Sequence, residues 1–505
     1  MPQPPALQLA DLSGAGRDLA LPADILLPGA GSVQFLSLLR TLPGRRYVGQ
    51  AIWRTATGET QTVLAKLLVG DKAARHFERE QSGARLLAEQ NIPTPALLTA
   101  DYAHGQGGWL LFEFLEDAES LGDCWQKHEN RPENPRAMQR ILTDALRLMA
   151  KLHAQGLWQE DLHLDNLLYQ QEKLYLVDGG GIRAEIPGKQ LSAPQALNNL
   201  GVFFAQLSPR LEDNLEEWLT VYLKAAGSQP SFLPTQLPHL HKTIAQNRNV
   251  RIKDLMKKIG RDCSLFSAKK MGWRGAFGVR VVRRDEQEAL DALLQNPDAH
   301  IAAGHIYKDG GAATVARVDL AGRSVVVKRY NIKNFRHWLT RFWRRSRAWT
   351  SWREGNRLMA LDIATAKPLA ILERRCFWLT GVAYLVMEYL PGEDLAARFA
   401  GKADEPDSIA PEELAAVGTL FTDLVRERIS HSDLKGQNLI WCSERKEQPA
   451  KDSDTAGHWA LIDLDALRVH RCEATFRRAH RRDRKRFLKD WQGSGLEKVI
   501  GEWVA

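Results

Sequence analysis

Two stretches, EDLHLDNLL at 160–168 and HSDLKGQNLI at 431–440, share one skeleton: an Asp, an Asn five residues later, then two apolar residues. Either alone reads as a helix cap followed by a turn. Each, however, belongs to a longer series of unlike elements that recurs in the same order. The first series is TVLAKLLV (62–69), a helical stretch with Glu80, IPTPALL (92–98), WLLFEFLE (109–116), the first loop, and LYLVDGGG (174–181). The second is SVVVKRYN (324–331), a helical stretch with Glu354, TAKPLAIL (365–372), YLVMEYLPGEDL (384–395), the second loop, and ALIDLDAL (460–467). A repeat of about 260 residues is a domain, not a solenoid unit.

Within each copy the first third alternates β-branched and polar residues, and the remainder carries helical periodicity, as in Ile141, Leu142, Ala145, Leu146 and Met149. The expected fold class is α+β, with a small strand-rich lobe before a larger helical lobe in each half. The polar, Pro-containing and basic segments between 225 and 260 place the boundary near 250. The expected domains are therefore 1–250, core about 40–225, and 251–505, core about 300–495.

A Lys on an apolar strand, Lys66 or Lys328, needs an anion to offset lost hydration, and a phosphate chain is one. Glu80 and Glu354 on the following helices could pair with these lysines, with Glu78 an alternative in the first copy. The loop spacing suits Asp161 and Asp433 as bases and Asn166 and Asn438 as metal ligands. Asp178 and Asp463, each ending a hydrophobic strand, suit a second oxygen ligand for Mg²⁺. The longer interval in the second copy holds the polar insertion 443–458, read as an exposed hairpin excursion.

This ordered series resembles the protein-kinase-like superfamily, and within it the bacterial lipopolysaccharide kinases that act on Kdo or core heptose. The closer resemblance rests on KDGGAATVARVDLAGRSVVVKRYNIKNF (308–335), SRAWTSWREGNRL (346–358), HSDLKGQN (431–438) and LIDLDALR (461–468). In the first copy it rests on LPGRRYVGQAIW (42–53), NIPTP (91–95) and DLHLDNLL (161–168). The resemblance implies two tandem bilobal kinase-like domains that bind ATP and Mg²⁺, with Lys66 and Lys328 on the phosphates. It implies hinges at 112–115 and 387–390, which include Glu113 and Glu388. It also implies phosphorylation of an inner-core sugar of lipopolysaccharide by a cytoplasmic protein, peripheral on the inner membrane.

The sequence departs from the superfamily pattern at several points. Neither copy has a G-x-G-x-x-G loop; the second offers Gly310 and Gly311, the first little beyond Gly49. No F-G follows either strand Asp, and no A-P-E follows later, so a small or glycolipid acceptor fits better than a protein. An aminoglycoside or choline kinase and a pseudokinase scaffold are the rival readings.

Composition sets further bounds. Lys plus Arg number 69 against 61 Asp plus Glu, a net charge of +8 that by itself names no partner. The stretch FRHWLTRFWRRSRAWTSWR (335–353) interleaves Arg and Trp. Either its residues 336–353 meet an anionic glycolipid or membrane surface, or its indoles pack on the small lobe. The same chemistry could hold nucleic acid, but none is expected as a partner of a sugar kinase. The run RRAHRRDRKRF (477–487) reads as a solvated helix. Five scattered cysteines make a disulfide framework or structural zinc unexpected, and the first residues show no export signal. The longest seriously apolar uncharged run, Cys376 to Met387, is too short to cross a bilayer.

Overall fold

Alternation along Thr60–Leu68 turns Val63, Ala65 and Leu67 into the core with no exposure. The computed structural model describes residues 6–16, 19–129, 135–227, 233–273, 276–331, 345–376, 379–402, 405–443 and 457–504. It divides into two units, Met1–Arg248 and Asn249–Ala505. The division falls inside a single helix, Leu233–Lys258.

In the first unit a seven-stranded sheet runs Leu7–Gln8, Ala23–Leu27, Gly31–Leu42, Arg46–Arg54, Thr60–Leu68, Gly107–Glu113, Leu97–Ala103. Helix Ala73–Glu89 leaves the Lys66 strand and buries Phe77, Glu80, Gly83, Ala84 and Leu87. The helical lobe that follows has one continuous core, including Leu142, Leu146, Leu157, Leu200, Phe203 and Leu219.

The second unit repeats the five strands from Gly31–Leu42 to Leu97–Ala103 in the same order: His305–Asp309, Ala313–Leu320, Arg323–Tyr330, Leu379–Glu388, Pro368–Cys376. The two extra strands differ between the units. In the first, Ala23–Leu27 adds to Gly31–Leu42, whereas in the second Ala276–Arg283 adds to Pro368–Cys376, the opposite edge. Helix Arg347–Ala360 follows the Lys328 strand, and the larger core includes Leu395, Val417, Phe421, Leu439, Leu461 and Phe487.

The Arg- and Trp-rich stretch is only partly described, because 332–344 lies outside the described residues. Its two described tryptophans follow the alternative of packing on the small lobe. Trp352 is fully buried and donates to the Ile259 carbonyl at 2.9 Å, and Trp349 is buried in the same cluster. Indoles held this way are small-lobe core. Most of the polar insertion, 444–456, also lies outside the described residues. Among the described residues no helix is long and apolar enough to cross a membrane.

Candidate active site

Each loop is bolted to its strand Asp by backbone. The Val177 amide donates to the Asn166 carbonyl at 2.8 Å, and the Ile462 amide to the Asn438 carbonyl at 2.9 Å. Hairpin pairing of Leu167 with Leu176 and of Leu439 with Leu461 closes this base. The Asn side chains point back along the loop: Asn166 Nδ2 donates to the Asp161 carbonyl at 3.0 Å, and Asn438 Nδ2 to that of Asp433 at 2.8 Å. Both amide nitrogens are thereby used, which turns the better metal donor, Oδ1, elsewhere. Asp178 and Asp463 both adopt left-handed backbone, at φ 71° and 60°. For a residue other than glycine that conformation costs of order 1–3 kcal/mol and is characteristic of functional turns.

In the first unit the buried Lys66 donates to Glu80 Oε2 at 2.8 Å and lies 3.9 Å from Asp178 Oδ1. Glu80, not Glu78, is thus the partner. Arg46, which sequence reasoning missed, takes the other oxygen of Glu80 at 2.7 Å. Burial pushes the Glu80 carboxyl up, with Asp178 adding to the effect and Lys66 and Arg46 only partly opposing it. Burial also acts upward on Asp178, but Lys66 and the carboxyl of Glu80 hold it below its ordinary value. The helix can close on the turn because position 83 is glycine: a Cβ there would lie 1.9 Å from the Gly179 carbonyl oxygen.

The second unit is wired differently. Lys328 pairs with Asp463 and lies 3.6 Å from Asp465 Oδ2. Although burial disfavours its charge, Tyr330, Asp463 and Asp465 raise the Lys328 pKa. The expected pairing with Glu354 is not made. Glu354 is buried, but its oxygens take Arg353 at 2.5 Å and Arg357 at 2.8 Å. The reason is register. Each helix ends just before a left-handed residue, Asn91 or Asp362, whose following amide bonds back to Leu87 or Leu358. Counted back from there, the residue matching Glu80 is Ser351, and Glu354 matches Gly83.

The loops also differ in support. Gln159 Nε2 reaches the Val177 and Asp178 carbonyls, both at 3.2 Å, and Asn199 Nδ2 donates to the Gln159 carbonyl at 2.7 Å. Asn199 is held in turn by His153, whose other ring nitrogen meets the Tyr222 hydroxyl at 2.9 Å. In the second unit a buried carboxylate replaces these amides: Asp483 accepts from the His431 and Ser432 amides at 2.7 and 2.9 Å. Asp483 lies in helix Glu473–Leu488, the basic run read as merely solvated. One face of that helix therefore supports the loop. Arg486 of the same helix lies 3.8 Å from Asp433, and Lys435 3.5 Å. Asp161 is exposed and has no such cation pair among the described residues.

The remaining expected residues lie at strand ends and in a turn. Glu113 and Glu388 end their strands, and each carboxylate turns back to a backbone amide, of Ala96 or Lys367, at 3.4 Å. Gly310 and Gly311 form the turn between His305–Asp309 and Ala313–Leu320. A Cβ on Gly311 would meet nothing within 4 Å, so its value lies in open backbone rather than a tight turn. The corresponding turn of the first unit, Pro43–Arg45, is pinned from outside: the Gly44 amide donates to the Tyr47 hydroxyl at 3.2 Å, and that hydroxyl donates to the Ala15 carbonyl at 2.7 Å.

No curated protein matches the chain. Among solved structures, one titled "WaaP in complex with acyl carrier protein" aligns at 17% identity with a TM-score of 0.32, covering 45% of this chain and 88% of that one. The family model described as "Lipopolysaccharide kinase (Kdo/WaaP) family" matches residues 63–186 and 299–497, more than half of the chain and every candidate residue named in the sequence. Two units, each a strand-rich lobe with a buried Lys, a D-x-x-x-x-N loop and a left-handed strand Asp, thus carry one family's pattern, and the chain belongs to the lipopolysaccharide kinase (Kdo/WaaP) family.

Proposed function

We propose that this kinase transfers the γ-phosphoryl of ATP to a sugar hydroxyl of the lipopolysaccharide inner core, on heptose or Kdo, at the cytoplasmic face of the inner membrane, and that the second unit performs the transfer. The observation that carries the reading is the meeting of Lys328 with Asp463, beside a loop whose Asn438 and Asp433 are locked to it. The family match also begins at residue 63 in the first unit, after the phosphate-loop turn, but spans every strand from His305 onward in the second.

The donor set fits Mg²⁺, since Asn438 Oδ1 and the Asp463 carboxylate are hard oxygen ligands and phosphate supplies the rest. Bound there, the ion would neutralise charge on the transferring phosphoryl oxygens. Lys328, balanced here by Asp463, is placed to hold the nucleotide phosphates. Asp433 accepts the proton of the attacking hydroxyl. Lys435 and Arg486 stabilise negative charge beside it, and the hinge backbone after Glu388 borders the adenine.

An anionic acceptor is favoured by helix Glu473–Leu488. Arg478, Arg482 and Arg486 each precede one of the buried residues Ala479, Asp483 and Phe487, so they share one flank, and Arg486 reaches Asp433. Arg478 and Arg482 have no carboxylate partner among the described residues. Guanidinium groups so arranged suit the phosphates and carboxylates of a glycolipid core.

A non-catalytic, organising first unit is the second reading. It is favoured by the turn Pro43–Arg45, which the Tyr47 hydroxyl pins to the Ala15 carbonyl where an open glycine loop would lie. Incubation with labelled ATP, Mg²⁺ and deep-rough lipopolysaccharide, beside aminoglycosides and choline, tests the proposal. Label in the lipopolysaccharide alone is expected; label only in a soluble amine contradicts it.

A further inference from the structure

The helix of the second unit lacks a carboxylate at the position of Glu80, yet Lys328 does not lack a second anion. Ser351, at that position, is buried and bonds the Tyr330 hydroxyl at 3.0 Å. Tyr330 lies two residues after Lys328, where the first unit has Leu68 two residues after Lys66. The complementary exchange is on the turn. Two residues beyond the strand Asp, the first unit has Gly180, whose Cβ would come within 2.9 Å of Glu80 Oε1. The second unit has Asp465 there, 3.6 Å from Lys328.

A cation has moved as well. Arg46, from the strand after the phosphate-loop turn, holds Glu80 at 2.7 Å; Ala313 takes the equivalent ladder position, opposite Tyr330 as Arg46 is opposite Leu68. Arg347, at the start of the helix, instead holds Asp465 at 2.6 Å. Both units therefore contain a buried Lys, a carboxylate and an Arg on that carboxylate, built from different positions.

We infer that Asp465 is the positioning residue for Lys328, a carboxylate relocated from the helix to the strand-Asp turn, doing for the second unit what Glu80 does for the first. A kinase needs its strand Lys held by a fixed anion that remains when the metal claims the strand Asp. Asp465, pinned by Arg347, remains when Asp463 is taken. Glu354 cannot serve, because it lies one helical turn further on and is occupied by Arg353 and Arg357. The inference rests on the reading of Lys328 as the lysine that meets the nucleotide phosphates.

An acyl-phosphate derivative of ATP tests both, because the lysine amine attacks the acyl carbon, forms an amide and releases ATP, and peptide mass spectrometry separates Lys328 from Lys66. In the full chain, Lys328 labelling that MgATP suppresses is expected. Asp465→Asn should lower Lys328 labelling about tenfold or more, as expected for a misplaced reacting group. Asp465→Glu should stay within about threefold of wild type, and the transplant S351E/Y330L/D465G should recover most of the loss. Lys66 labelling should be the same in all four proteins, and an unchanged near-ultraviolet circular dichroism spectrum, to which the buried Trp352 and Trp459 contribute, reports that the second unit is folded in each. Wild-type labelling with an unaffected Asp465→Asn overturns the role of Asp465 alone, as does a folded transplant that fails to recover. Absence of Lys328 labelling in the wild type overturns the underlying reading and the inference with it.

Discussion

Glu80 and Ser351 occupy the same place, the same number of residues upstream of the left-handed residue that ends each helix. One anchors two cations and the other a single hydroxyl, so equal substitutions there have unequal effects. Glu80→Gln leaves Lys66 and Arg46 without their buried anion and should cost the first unit about 3–5 kcal/mol. Ser351→Ala loses one hydrogen bond, about 1 kcal/mol. Urea titration of both variants checks this, and comparable losses would show that the buried pair is not what holds the Glu80 helix.

Gly83 and Gly311 make opposite predictions. Gly83→Ala forces a methyl into the Gly179 carbonyl and should lower stability by about 2 kcal/mol or more. Gly311→Ala meets open space and should leave the urea midpoint nearly unchanged, while raising the ATP KM by restricting backbone approach to phosphate. A stable Gly83→Ala protein would mean that the helix does not seat on that turn.

Acid should weaken the first unit through His153, which burial holds down at about 4, well below its ordinary 6.5, despite its bond to Asn199. Between those values the unfolded chain binds a proton that the folded one refuses. Stability is therefore complete above about pH 6.5, declines as pH falls, and levels off below about 4, a loss of about 3 kcal/mol in all. Burial lowers the His431 pKa too, and its Nε2 lies 3.2 Å from the Ile462 carbonyl, so the second unit should weaken in the same direction. Denaturation at pH 7.5 and 4.5 measures the slope; an equally steep slope in His153→Gln would remove His153 as a cause.

Neutralising the free flank of helix Glu473–Leu488 should affect the acceptor rather than the nucleotide. In R478Q/R482Q the acceptor KM should rise about tenfold, and less so at high salt, which screens exposed charge in the parent as well. An equal rise for R477Q/R481Q, on the neighbouring face, would reduce the effect to bulk charge.

The order of elements was legible because each site residue sits in a local pattern: a Lys in an alternating strand, an Asp and Asn at fixed spacing, an Asp closing an apolar run. The Glu354 pairing failed because spacing from Lys328 crosses a long insertion, whereas the helix is registered from its C-terminal end, at Asp362. Asp465 was visible in LIDLDALR but has no counterpart in LYLVDGGG, so comparing the copies hid it. Asp483 and Arg486 lie about 50 residues from the loop that they meet, and only tertiary packing of Phe476, Ala479 and Phe487 reveals which face of that basic helix turns inward.

Transfer of label from ATP to deep-rough lipopolysaccharide by Asp433→Asn and Asp161→Asn proteins tests the assignment most directly. Asp433→Asn should lose transfer by about 100-fold or more with its urea midpoint kept, and Asp161→Asn should retain most of it. Full transfer by Asp433→Asn, or loss confined to Asp161→Asn, would contradict the placement of catalysis in the second unit.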